Sequence, residues 1–188
     1  MSKLKTSLLV VVSAAAVLSA ASASAVSFEV WNGSAWVANG VSHFTGPTTA
    51  SYLGNSLPCS ADFTFNVAAG VATVTAASFS GNPTCTSIVS RGLPWTVTIG
   101  SGNGSSYGLT IGGTSTTTIA GGVNIFIPAP LNANCPGATS RGPVSGTLVN
   151  PTGTPPAATG FTFSGTLGPC AVSSNPRLAA SPAIRVIP

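Results

Sequence analysis

An all-β fold, an antiparallel β-sandwich or barrel stapled by two disulfides, is predicted for this chain by three observations. Apolar and polar residues alternate with period two in several short runs, Gly, Pro and Asn punctuate those runs at close intervals, and four cysteines follow a segment with the features of an export signal. Long amphipathic helical patterns do not occur. The 188 residues are 44% hydrophobic and only 4% charged, which excludes a disordered tail or a coiled coil, since both require abundant charge. The length suits one domain with a core of its own.

Taken in chain order, Lys3 and Lys5 precede an apolar stretch from Leu8 to Ala20, and Ala23-Ser24-Ala25 supplies a small-x-small processing site. The apolar stretch is shorter than the roughly 20 residues of a membrane-spanning helix. We therefore expect residues 1–25 to be a cleaved secretory signal peptide and residues 26–188 a single β domain. That domain should be secreted, to the cell surface, the medium or the periplasm, with no transmembrane segment. Beyond the signal the charges are Arg91, Arg141, Arg177 and Arg185 against Glu29 and Asp62. Scattered arginines form no stripe that could neutralise phosphates, so nucleic acid is not an expected partner.

A first hairpin is predicted where Asn32-Gly33 separates Phe28–Trp31 from Ala35–Val37, because Asn-Gly tolerates the positive φ of a tight turn. In the next segment Ala61, Phe63, Phe65 and Val67 share one face, and Ser60, Asp62, Thr64 and Asn66 the other, as in a half-buried strand. The same alternation places Leu93, Trp95, Val97 and Ile99 together, then Val123, Ile125 and Ile127, and finally Phe161, Phe163, Gly165 and Leu167. Pro94 marks a strand end or an edge. Gly100–Ser106, Gly112-Gly113, Gly121-Gly122 and Pro151–Pro156 are turns or loops. Ala183–Ile187 closes the chain as a last strand, a candidate for pairing with a neighbouring molecule.

Cys59, Cys85, Cys135 and Cys170 allow three disulfide connectivities. An internal echo, Phe79-Ser80-Gly81 before Cys85 and Phe163-Ser164-Gly165 before Cys170, favours Cys59 with Cys85 and Cys135 with Cys170. A metal site is disfavoured, because no Cys-x-x-Cys occurs and His43 is the single histidine.

Candidates for catalysis are few. His43 reads as an isolated loop histidine, and no Gly-x-Ser-x-Gly elbow selects a nucleophile for it. Glu29 and Asp62 are the only side-chain carboxylates available for glycoside hydrolysis, and both fall on polar outer faces of predicted strands. Gly100–Ser106 resembles a phosphate loop in composition only, with no Lys and no following helix. Asn32-Gly33-Ser34 and Asn103-Gly104-Ser105 match a glycosylation sequon, although turn chemistry accounts for both. No catalytic, metal or cofactor-binding residue is expected. Trp31 and Trp36 flank the first hairpin as candidate apolar surface contacts; at least one of them is expected in the core, and Trp95 more so.

Leu57–Phe65, Gly70–Gly81, Cys85, Ile88 and Leu93-Pro94-Trp95, with Phe163-Ser164-Gly165, Cys170 and Ser181-Pro182 later, resemble the bacterial alkane oxidation protein activator family, PraB. The similarity spans most of residues 26–188, and Leu57–Trp95 is its specific part. The resemblance implies a small secreted accessory or adhesive protein that promotes contact with hydrocarbon or biofilm matrix and has no cofactor. No catalytic residue is assigned in the family's pattern. The alternative is a pilus or matrix subunit that self-associates through strand edges.

Overall fold

The computed structural model describes residues 26–188; the expected signal segment, residues 1–25, lies outside them. The described residues open with the predicted hairpin, β1 (Ser27–Trp31) and β2 (Trp36–Val37). Gly33 takes a φ of 101°, and the Asn32 side-chain oxygen accepts hydrogen bonds from the backbone N–H groups of Ser34 (3.0 Å) and Ala35 (2.8 Å). Asn103-Gly104-Ser105 turns the chain in the same way, with the Asn103 oxygen accepting from the N–H groups of Ser105 and Ser106. An Asn before a glycine thus holds each turn by an Asx bond while the glycine takes the left-handed backbone.

Three long strands follow as a meander, β3 (Gly40–Tyr52), β4 (Asn55–Ala68) and β5 (Val71–Ser80). A short helix α1 (Pro83–Thr86), capped by the Asn82 side chain, leads to β6 (Val89–Arg91). Then come β7 (Trp95–Gly102), β8 (Ser106–Ile111), β9 (Asn124–Ile127) and β10 (Ala133–Cys135). The remaining strands are β11 (Val144–Val149), β12 (Gly160–Leu167), β13 (Cys170–Ser174), β14 (Leu178–Ser181) and β15 (Ile184–Ile187).

Eight strands close into an antiparallel barrel in the order β11-β8-β7-β5-β4-β3-β13-β12, and β11–β12 pairing completes the circle. Of the two predicted architectures, the barrel is the one formed. β14 continues the column of β13: both lie between β3 and β12, with Ser174 opposite Thr48 and Ala179 opposite Thr45. The inward faces follow the period-two pattern. Ala61, Phe63, Phe65 and Val67 are buried, as are Trp95, Val97, Phe161, Phe163 and Leu167. Phe44, Phe65 and Phe161 meet in the middle of the barrel, with ring centroids 4.6 and 6.0 Å apart along the chain of contacts.

Two small sheets treat the barrel ends differently. At the end marked by Gly40, Val67 and Gly70, the sheet β15-β1-β2 seals the barrel, burying Phe28, Val30, Ile184 and Val186. At the end of the β3–β4 turn, the sheet β10-β9-β6 lies as a cap. Cys59–Cys85 joins β4 to α1 beside the cap, and Cys135–Cys170 joins the cap strand β10 to the wall strand β13. This is the pairing that the echo favours, and each bridge brackets a strand pair, β4–β5 between Cys59 and Cys85 and β11–β12 between Cys135 and Cys170. The two flanks differ, since Cys85 sits on a helix and Cys170 begins a strand.

The outer edge of β15 is not open. The Asn150 amide donates to the Val186 carbonyl (2.8 Å) and accepts from the Val186 N–H (2.9 Å), while the Thr159 hydroxyl serves both backbone groups of Ile184. Side chains thereby stand in for a neighbouring strand, and the expectation that Ala183–Ile187 pairs with another molecule meets an edge already occupied. Asn150→Ala leaves both groups of buried Val186 without these partners and should cost about 1–3 kcal/mol, read as a lower urea midpoint with an unchanged slope.

Candidate binding site

Between the cap and the inner wall of the barrel lies an apolar cavity of about 60 Å³. The floor is Phe63, Val74, Trp95 and Phe163; Ile125 and Ile127 reach it from β9 and Ile88 from beside α1. An eight-stranded barrel is just wide enough for side chains to fill it or to leave a small cavity, and this one is filled by aromatic rings at its middle and leaves a cavity under the cap. Trp95 is fixed by its indole N–H, which donates to the Arg91 carbonyl at 2.7 Å, and by packing against Phe63. Thr48, Thr49 and Ser173 bring the only hydroxyls among the lining residues, and none of those residues is ionisable. Leu57, Phe79, Ile88, Ile125, Val144 and Val172 are half-buried, which places apolar groups at the mouth.

The cap is attached by more than its disulfides. The Ser90 hydroxyl donates to the Ala77 carbonyl on β5 (3.0 Å), and beside it the buried Asn124 amide holds the loop after β10 to the cap by donating to the carbonyls of Gly137 and Ser140. Arg91 lies over the Phe126 ring at 5.1 Å and donates to the Asn134 side chain, so its charge is spent within the cap and away from the cavity.

The tryptophans predicted as surface contacts form a separate site. Trp31 and Trp36 face each other across β1 and β2 with ring centroids 5.5 Å apart in an edge arrangement. The Arg185 guanidinium lies 4.4 Å above the Trp36 ring and pairs with Glu29 at 2.6 Å. Both tryptophans are half-buried, so the expectation that one enters the core is corrected. Phe28 and Val30 take the inward positions of β1, and Trp31 with its partner Trp36 therefore falls on the opposite face. Trp95 is buried as expected, at 2% exposure.

Of the candidate catalytic groups, His43 and Asp62 meet and Glu29 stands apart. His43 is not in a loop: it stands on the exposed face of β3, and its Nδ1 lies 3.0 Å from an Asp62 carboxylate oxygen on β4. Strand alternation puts it there, because Ser42 and Phe44 take the inward positions. Ser181 is the cross-strand neighbour of His43, but among the described residues no hydroxyl hydrogen-bonds the imidazole. With His43 and Asp62 each nearly half exposed, the pair contributes ~0–1 kcal/mol. Glu29 is engaged by Arg185 on the small sheet, apart from Asp62 on the barrel wall. Gly100–Ser106 is the β7–β8 hairpin. Among the described residues no group of three or more His, Cys, Asp or Glu could hold a metal, and no helix is long and apolar enough to cross a membrane.

Fold and site define a small disulfide-linked β-barrel with an apolar, partly open interior. No curated protein and no solved structure matches the chain. A family description does: the chain belongs to the PraA/PraB-like alkane oxidation protein activators, whose model matches residues 1–188.

Proposed function

We propose that this protein is a secreted, non-catalytic accessory factor that brings the cell into contact with hydrocarbon. The observation that carries the reading is the cavity under the cap, apolar throughout its floor and free of ionisable groups. Such a surface favours alkyl groups by removing them from water, at about 25 cal/mol per Å² of apolar area buried. Trp31 and Trp36 add an exterior apolar contact at the other end of the barrel. Membership of an activator family, the absence among the described residues of a hydroxyl on the exposed His43–Asp62 pair and the separation of Glu29 from it support a role without bond-breaking chemistry.

Partition of the purified protein between water and hexadecane, together with adhesion of a deletion strain to hexadecane droplets, tests the reading. The protein should collect at the interface, and its loss should lower adhesion. Retention in the aqueous phase with adhesion unchanged would refute the reading.

A further inference from the structure

We infer that the cavity receives the end of an unbranched, uncharged alkyl chain, and that the chain passes in sideways through a fork in the barrel wall between β11 and β12. The inference rests on the hydrocarbon-contact reading and specifies its ligand and its route. The ladder between these strands runs from Val149 opposite Gly160 to Gly146 opposite Phe163 and ends there. Beyond it β11 keeps β8 as a partner through Val144, and β12 keeps β13 from Ser164 to Leu167, so the two strands part company with each other only. A groove of about 220 Å³ occupies the fork. It shares Val144 and Val172 with the apolar cavity, which makes those two side chains the threshold between groove and interior.

Gly165 is what keeps the fork clear. It falls in the inward series Phe161, Phe163, Gly165, Leu167, yet it is exposed, and a Cβ built on it would meet nothing within 4 Å. Any side chain there would project into the passage. Gly146, where the ladder ends, is the reverse case: a Cβ would overlap the Thr162 carbonyl oxygen, so glycine there keeps the last closed rung tight.

Size and charge define the ligand. An apolar cavity of ~150 Å³ holds one benzene, roughly 25 Å³ per carbon. At about 60 Å³ the space under the cap takes the last carbons of a chain and no ring. The rest of the chain lies in the groove, whose lining adds Pro143, Ser145, Ser164 and Thr166 but no cation. A carboxylate drawn into this region would lose water without gaining a counter-charge, so an alkane is preferred over a fatty acid of equal length.

The test uses the purified protein with n-decane, and with decanoate as the charged counterpart. Carbon-13-labelled decane should show nuclear Overhauser contacts from its methyl end to the methyls of Ile125, Ile127, Val144 and Val172. Gly165→Phe should weaken decane binding by at least about tenfold with the unfolding midpoint unchanged, and decanoate should bind about tenfold or more weakly than decane. The contacts are measured on the unaltered protein and stand even if the variant folds poorly. Decanoate binding as tightly as decane, contacts confined to residues outside the cavity, or full binding by a folded Gly165→Phe each overturn the inference. In the last two cases decane is still held, and the broader reading survives; if the protein neither binds decane nor collects at the hexadecane interface, both fall.

Discussion

Replacing both cysteines of either bridge, as Cys59→Ala with Cys85→Ala or as Cys135→Ala with Cys170→Ala, should lower the unfolding free energy by about 3–4 kcal/mol. The sequence separations of 26 and 35 residues set this figure through the closure entropy that each bridge removes from the unfolded chain. The effect should also be local. The first bridge anchors the chain just before β6 and the second anchors β10, so each pair of replacements releases one side of the cap from the wall. Denaturant titration reads the global loss. Amide hydrogen exchange should show protection falling first at Val89–Arg91 for the first pair and at Ala133–Cys135 for the second, while β3–β4 keeps its protection. Equal loss of protection in both regions for either pair would show that the bridges act only through the unfolded state.

Phe65→Ala should be as damaging as any single substitution in the barrel, costing about 3–5 kcal/mol. Phe65 is fully buried, packs against the Phe44 ring with centroids 4.6 Å apart and planes tilted by 54°, and sits on β4, which carries two full ladders. It lies at a register shift between Thr64 and Phe65, where neighbouring strands cannot slide to fill the space without breaking the ladder on one side. Phe79→Ala, at the half-buried mouth, should cost less because water can occupy what the ring leaves. Urea unfolding of the two variants gives the comparison, and equal losses would mean that the barrel centre repacks more freely than its burial indicates.

Much of this architecture can be read in the residues. The alternation across Ala61–Val67 fixes which face of β4 is buried, and a one-residue slip would have turned Asp62 and Asn66 inward. The two Asn-Gly-Ser turns are local chemistry and need no tertiary information. What composition cannot reveal is closure. Whether β11 pairs with β12 depends on curvature accumulated over eight strands, so sandwich and barrel remain alternatives until the circle is seen. His43 and the tryptophans show the same limit: which face a residue occupies follows from the strand that carries it, and Gly40–Tyr52 is not read as a strand from pattern, while the hairpin reading of Phe28–Trp31 leaves its faces unassigned.

The site was harder to see than the fold, because Ile125, Ile127, Phe63 and Val74 are indistinguishable from ordinary core in a linear reading. One signal was present. In the run Phe161, Phe163, Gly165, Leu167, three large residues share an inward face with one that has no side chain. A gap in a packed series is where a guest can sit, and Gly165 stands beside the groove.

The stopper of β15, β1 and β2 and the cap of β10, β9 and β6 make the two ends of the barrel chemically unlike. A body with unlike ends has a direction. Molecules gripping one oil film by the chains they hold would all present the hairpin sheet to the far side, aligned by shape alone, with no electric field required to orient them.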